Sequence, residues 1–295
     1  MKDEISEKLV KDYYQKVGEK MIPFLESREA AVTQVFENNR IFRDKENSGK
    51  PLHIDNKRSL LKWVDWHGQE FFSSIDAHRA LWFCIDIDKR EKIPFQLVKT
   101  AAELMCIILK KAGIDFLLKF SGKNGFHFLW NLGKIDRRKL KKIDSAFLPE
   151  KPRERPLKEV DLKVWELERR VIENLQGRLE KALQHSKMRD DFYTILPHTS
   201  PITVCDRKDI RHKDSILIDS LLMRERGFVR TPYSLHLETS FVSVPIFKKE
   251  LPNFNPEFDA RMEAVIGDSQ VFQIPEVQIE KMIELLLEEE VVNRK

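Results

Sequence analysis

Two pieces of one stretch decide how this chain reads: LWFCIDIDKR at 81–90 and DFLLKFSGKNGFHFLW at 115–130. The first is an apolar run closing on Asp86-Ile87-Asp88, and it reads as a buried strand. Alternation along a strand sends the two carboxylates to one face with Ile87 between them. Like charges at the end of an apolar strand repel, and a divalent cation relieves that repulsion. Hard oxygen ligands suit Mg²⁺ or Mn²⁺, which keep waters and take substrate phosphates as further ligands. In the second piece Ser121-Gly122-Lys123-Asn124-Gly125 is a tight turn between two apolar strands, Asp115–Phe120 and Phe126–Trp130. It offers glycine N–H groups, a hydroxyl and a lysine, and His127 follows on the second strand as a donor to a phosphate oxygen. Between the two pieces, Leu97, Ala101, Leu104, Met105, Ile108 and Leu109 form one apolar stripe. They predict a helix over Leu97–Lys111, with Gly113 as its stop. A carboxylate pair together with a Gly-Lys turn and a histidine describes a site for a metal-bound nucleoside triphosphate. Taken singly, D-x-D reads as a solvated strand end and S-G-x-x-G-x-H as a hairpin turn. Their order and spacing make the reading specific.

The rest of the composition sets bounds. The chain has 295 residues, long enough for one large or two small domains. Hydrophobic content of 41% with 34% charged residues describes a soluble globular protein. No apolar run is long enough to cross a membrane, and MKDEISEKLVKDYY is too charged for a secretory signal. Cys84, Cys106 and Cys205 are isolated, so they make neither a disulfide framework nor a Cys-rich zinc site, and a cytoplasmic location is expected. The net charge of +4 is uneven: residues 251–295 carry ten acidic and four basic side chains, leaving about +10 for the remainder. A basic body with an acidic tail fits nucleic-acid binding plus a C-terminal appendage.

Outward from the central stretch, Leu9, Val10, Tyr13, Tyr14, Val17, Met21 and Ile22 predict an amphipathic helix over 6–27 that Pro23 ends or kinks. Ala30–Phe42 contains a strand, AAVTQVF, followed by a polar loop with a turn at Ser48-Gly49. Ser59–Trp66 and Gln69–Ser74 read as short segments leading into the motif strand, with Trp63 and Trp66 in the core or a groove wall. Arg137–Lys142 is a basic cluster, either a solvated face or a template-binding edge. Pro149, Pro152 and Pro156 punctuate a linker before a helix over Val164–His185. Gln278–Val291 reads as an acidic amphipathic helix that packs on the core or docks a partner.

A further signal lies at 203–245. Ser215–Ile218 is an apolar strand ending in Asp219, and VRTPYSLHLETSFVSVPIFKKEL follows at 229–251. Through these residues the chain resembles the archaeo-eukaryotic primase superfamily. The h-D-h-D strand, the helix and S-G-x-x-G-x-H match its first two motifs. Lys119, two residues before the serine, and the Pro-Tyr-Ser-Leu core resemble the polymerase domain of bacterial DNA ligase D, as does the YYQKVGEKMIPFLESRE opening. Arg230, Ser234, Leu235 and His236 resemble the R-x-P-x-S-L-H of archaeal and eukaryotic primase small subunits, with His236 where ligase D polymerases commonly carry Arg.

The resemblance implies an α+β primase-polymerase fold with an RRM-like mixed sheet flanked by helices. It spans most of 8–251, giving a catalytic domain over 1–251, with the basic linker and helix at 134–190. An acidic extension would occupy 252–295. The implied activity is template-dependent nucleotidyl transfer of NTPs or dNTPs on a DNA template and primer, in replication priming or in repair and end joining. Asp86, Asp88 and Asp219 would be the catalytic carboxylates holding two Mg²⁺ or Mn²⁺ ions. Lys119, Ser121, Gly122, Gly125, His127, Arg230, Ser234 and His236 would bind the nucleotide. Lys123 is displaced by one from the lysine of the ligase D pattern. A separately encoded primase or repair partner would dock on the C-terminal helix. The alternative is a non-catalytic nucleic-acid-binding subunit. A replication-initiator nickase would need a histidine pair at alternating strand positions and a nucleophilic tyrosine, and no second histidine shares the face of His127.

Overall fold

A capped helix opens the fold. The Ser6 side chain accepts a hydrogen bond from the Leu9 N–H, and Glu7 sits in the first turn, where a negative charge suits the helix dipole. In the computed structural model, residues 6–37, 39–75, 81–89, 93–132, 159–185, 203–205, 215–218 and 227–293 are described. In chain order the first elements are α1 (Glu7–Leu25), β1 (Glu29–Phe36), β2 (Asn39–Arg43), β3 (Leu52–His53), α2 (Lys57–Asp65) and β4 (Gly68–Ser74). Then come β5 (Trp82–Lys89), α3 (Phe95–Lys111), β6 (Leu117–Phe120), β7 (Phe126–Asn131) and α4 (Glu159–His185). The last are β8 (Thr203–Cys205), β9 (Ser215–Ile218), β10 (Phe228–Arg230), β11 (Pro245–Ile246), α5 (Pro256–Asp259), α6 (Met262–Gly267) and α7 (Ile279–Asn293). The class is α+β, as expected. Asp219, the 137–142 basic cluster and the linker prolines lie outside the described residues.

The chain forms two compact units. One consists of Met1–Ala77, Leu117–His127 and Arg226–Gln273, the other of His78–Phe116, Phe128–Glu225 and Ile274–Lys295. In the first unit an antiparallel sheet runs in the order β10-β4-β1-β2, with β3 also paired to β1. The strand expected over 30–42 is therefore a hairpin, β1 and β2, with Glu37 in the left-handed region at its tip (φ 47°). Pro23 does not stop α1, which runs on to Leu25. That position is in the last turn, where the missing N–H costs one i→i−4 bond and the helix ends two residues later. Val10, Tyr13, Tyr14, Val17, Met21 and Phe24 of α1 are buried, and α1 packs on α2 and β4. An Asn56–Ser59 capping box starts α2. Gly68 opens β4 because a Cβ there would lie 2.7 Å from the Trp63 carbonyl oxygen and 2.8 Å from Val32 Cγ1. In the same unit β6 pairs antiparallel with β11, setting Lys119 opposite Pro245.

In the second unit β5 pairs antiparallel with β9, and β9 runs parallel to β8. Helix α3 packs on β5 and on α4, and ends at the expected stop, with Gly113 at φ 69°. Phe83 and Trp130 stack at 4.3 Å between ring centroids. Helix α7 lies where the C-terminal helix was expected. Its buried side, Ile279, Met282 and Leu285, faces inward within the unit, and the Leu285 carbonyl accepts from Arg178 of α4 at 3.0 Å. No helix among the described residues is long and apolar enough to cross a membrane.

Candidate functional site

The Ser121–Gly125 turn closes on itself. The Ser121 N–H donates to the Gly125 carbonyl at 2.9 Å, and Ser121 Oγ accepts from the N–H groups of Lys123 (3.3 Å) and Gly125 (3.1 Å). With both acceptor positions used, the hydroxyl keeps its own proton to donate, and no acceptor for it is seen among the described residues. The Gly125 N–H, expected to face a phosphate, is engaged inside the turn instead. Gly122 stands at φ 94°, a conformation that favours glycine. A Cβ at Gly122 would lie 3.0 Å from His236 Cβ and 3.6 Å from Arg230 Cδ, so this turn rests directly on the 230–236 segment. Thr239 Oγ1 adds a bond to the Gly122 carbonyl at 2.6 Å, and Lys123 is ion-paired with Glu238.

That 230–243 segment is irregular, and side-chain to backbone bonds hold it. Arg230 Nη1 donates to Glu70 Oε1 at 2.8 Å and to the Leu235 carbonyl at 2.7 Å, and its guanidinium lies 4.8 Å from the Phe72 ring centroid. Glu70 Oε1 also accepts the Leu237 N–H at 2.9 Å, so one buried carboxylate ties together both sides of His236. The Glu238 N–H donates to His236 Nδ1 at 3.2 Å. Nδ1 is therefore an acceptor, and the neutral ring carries its proton on Nε2. Burial, followed by the nearby Arg230 charge, pushes the imidazole down from 6.5 to about 4, so it is uncharged at neutral pH.

Below this lies a buried lattice of hydroxyls. Ser234, expected to bind nucleotide, is fully buried; its Oγ accepts from the Phe71 N–H at 2.8 Å and donates to the Leu235 carbonyl at 3.2 Å. Tyr13 OH donates to the Tyr233 carbonyl at 2.7 Å. Tyr14 OH donates to the Gln69 carbonyl at 2.5 Å and accepts the Leu235 N–H at 3.1 Å. Burial raises both phenols well above their ordinary value. Tyr233 itself is held at φ 69°. Lys119 is completely buried on β6, and its ammonium donates to Ser243 Oγ at 2.7 Å, which in turn donates to the Phe120 carbonyl at 2.9 Å. His127 is buried on β7.

In the second unit Asp86 and Asp88 project from β5 on one face, Asp86 buried and Asp88 half-buried. Ile87 between them is registered opposite Ile218, and Asp88 opposite Leu217. Asp88 Oδ1 accepts the Lys89 N–H at 2.8 Å. Two oxygen donors on one face fit a hard divalent cation. No cluster of three or more His, Cys, Asp or Glu suited to a metal occurs among the described residues, which do not include Asp219. Thus the first unit brings Ser121, Gly122, Arg230, Ser234 and His236 together, and the second presents Asp86 and Asp88. Sequence reasoning missed Glu70, Tyr13, Tyr14, Thr239 and Ser243. For Glu70 a signal existed: a lone acid directly before Phe71-Phe72 in a short strand needs a partner when buried.

Residues 36–171 match the family model of the LigD primase-polymerase domain. The polymerase domain from Mycobacterium tuberculosis ligase D, solved in complex with DNA, has a TM-score of 0.60 against this chain at 16% identity. The match covers 88% of this chain and 87% of that one. This chain resembles a ligase D polymerase domain. It shares the overall fold of that domain over nearly its whole length, and the family-model match spans β5, α3, the Ser121 turn and β7. No curated protein matches it.

Proposed function

We propose that this chain is a template-dependent nucleotidyltransferase of the ligase D polymerase type, adding NTPs or dNTPs on DNA in repair and end joining or in priming. The observation that carries the reading is the seat of Gly122 on His236 and Arg230. Two motifs remote in sequence there build one donor-rich hollow for a polyphosphate. Arg230 contributes a permanent charge, neutral His236 an Nε2–H and Ser121 an O–H. Fixed donors aimed at developing negative charge are the main catalytic means in phosphoryl transfer. His127 adds a ring donor, and Lys119 contributes its charge from beneath the surface. Ser234 and Gly125 act by shaping the backbone. Lys123, already paired with Glu238, has the smaller part. Asp86, Asp88 and Asp219 would hold two Mg²⁺ or Mn²⁺ ions, which supply Lewis-acid stabilisation of the attacking hydroxyl and the leaving pyrophosphate. Asp219 directly follows Ile218, whose register partner is Ile87. A repair or priming partner docking at α7 would have to use a side other than Ile279, Met282 and Leu285, which are buried.

The test is extension of a labelled primer on a DNA template with Mg²⁺ or Mn²⁺, with NTPs and dNTPs in separate lanes and an unprimed template alongside. Extension by the wild type and none by Asp86→Ala is the expected result. Extension that survives Asp86→Ala sinks the carboxylate assignment. A folded, DNA-binding protein that incorporates nothing would instead be the non-catalytic subunit.

A further inference from the structure

The first unit holds a cavity of about 480 Å³ that the nucleotide reading does not use. It lies beside β1, β2 and the C-terminal end of α2. Its walls are aromatic: Phe36, Trp63, Trp66 and His67, with Trp66 46% and Phe36 37% exposed. At its base is Gln34, only 4% exposed. The Gln34 amide nitrogen donates to the Trp66 carbonyl at 2.6 Å, which fixes the orientation of the amide. A flipped amide would set two acceptors against each other. The amide oxygen is then shut from solvent with no donor among the described residues, a state that buried polar groups rarely keep. Arg43 shares the Gln34 face of the β1–β2 hairpin, because Arg43 pairs with Val32, two residues from Gln34. Its Nε–H is likewise buried and without an acceptor, while Nη1 reaches Asn47 at 3.3 Å. Two lining side chains therefore keep one unmet acceptor and one unmet donor just beneath the aromatic walls. Lys62 lies against the Trp66 ring at 4.7 Å, and His53 completes the basic rim. Of the two acids in the lining, Asp65 is paired with Lys11 at 2.6 Å and Glu46 accepts from Ser48 at 3.3 Å.

We infer that this cavity is a second nucleotide site, taking a nucleobase edge on Gln34 and Arg43 as these side chains turn to meet it, and its phosphate at the basic rim. A flat heteroaromatic ring suits the walls. Every natural base offers a donor beside an acceptor on one edge, which matches the Gln34 oxygen and the Arg43 Nε–H. The volume lies within the range of small-ligand pockets and admits a whole nucleotide. Such a base comes either from a free mononucleotide or from a single strand. This inference does not depend on the catalytic reading, because none of the lining residues is among those assigned to triphosphate or metal.

The experiment measures binding by quenching of tryptophan fluorescence, in EDTA, with the full chain. The probes are AMP and CMP, ribose 5-phosphate, and a 12-nucleotide single strand. The variants are Gln34→Met, which keeps size and removes the acceptor, exposed Trp66→Ala, and His236→Ala, which disables the triphosphate hollow. Saturable binding of a mononucleotide or the strand that weakens about tenfold or more in both Gln34→Met and Trp66→Ala, but not in His236→Ala, is expected; a tenfold loss is the scale of one buried hydrogen-bond partner. Sensitivity in the AMP and CMP lanes identifies a free nucleotide, and sensitivity in the strand lane alone identifies a stacked strand. If Gln34→Met unfolds, Trp66→Ala decides by itself. Affinity unchanged by the cavity variants, loss confined to His236→Ala, or ribose 5-phosphate binding as tightly as AMP overturns the inference. Primer extension by Trp66→Ala is read separately, so failure here leaves the catalytic proposal to its own test.

Discussion

The carboxylate strand and the proposed phosphate hollow are built by opposite means. Asp86 and Asp88 stand on a regular strand, and the pleat alone puts them on one face. Arg230 closes the short strand β10, and His236 stands on the irregular backbone that follows, held by its ties: Glu70 on Arg230 and Leu237, Ser234 on Phe71, and Tyr14 on Leu235. On the strand, chemistry and stability are separable. In the hollow the same bonds that aim the donors also hold the fold. Changes on the strand should therefore abolish activity with little effect on folding, and changes in the hollow should disturb both.

The largest expected effect breaks that comparison if it fails. Asp86→Asn should lower nucleotide incorporation by at least about three orders of magnitude, the scale of lost charge stabilisation at a reacting centre. Thermal unfolding should remain cooperative, with its midpoint within a few degrees of wild type. A large drop in the midpoint would make the strand as structural as the hollow. Next comes Gly122→Ala, where the new methyl meets His236 at 3.0 Å on backbone that disfavours a side chain. A displacement of this size near bound substrate should cost about 10²-fold in kcat/KM, by steady-state extension kinetics. Wild-type kinetics in that variant would detach the turn from the site.

Glu70→Gln sharpens the comparison. The amide oxygen can still accept one bond, but the charge facing Arg230 is gone. KM for the nucleotide should rise by about tenfold while kcat changes less, because a positioning group acts on binding geometry. Ser234→Ala leaves the buried Phe71 N–H without its acceptor and should destabilise the chain by about 1–3 kcal/mol in a denaturant titration. Partial activity should survive at low temperature. Complete inactivity in a folded Ser234→Ala protein would give that hydroxyl a direct role.

The smallest effect concerns pH. The folded value of His236 is about 4, below its ordinary 6.5. Between those values the unfolded chain binds the proton first, so this residue withdraws stability as pH falls from 6.5 towards 4 and has no effect above 6.5. The nucleotide KM should then show no inflection near pH 6.5 that His236→Ala removes. An inflection there would mean that the imidazole is charged when it binds.

Much of this was legible without coordinates, and the particular elements show why. Strand β5, helix α3 and the Gly113 stop follow from alternation, a helical stripe and a glycine, all local properties. The glycine of the Ser121 turn was recognisable because few residues tolerate its conformation. The partners of the third motif were not legible. Tyr14 looked like one more apolar position of α1, and nothing near it in the chain shows that its hydroxyl meets Leu235. Lys119 read as a nucleotide-binding cation from the resemblance, and its burial with Ser243 came from strand pairing. Ser234 was expected to bind nucleotide from the resemblance, and only the structure shows its buried hydroxyl bonded to the Phe71 and Leu235 backbone.

The sequence by itself determined which residues carry charge and chemistry, and which of them share a strand face, since backbone geometry repeats with a fixed period. Only the tertiary structure decided which hydroxyls are consumed inside, that Glu70 clamps Arg230, and that His236 keeps its proton on Nε2. Those outcomes depend on partners brought together from distant parts of the chain and on the burial that packing imposes, and neither is a property of any local stretch.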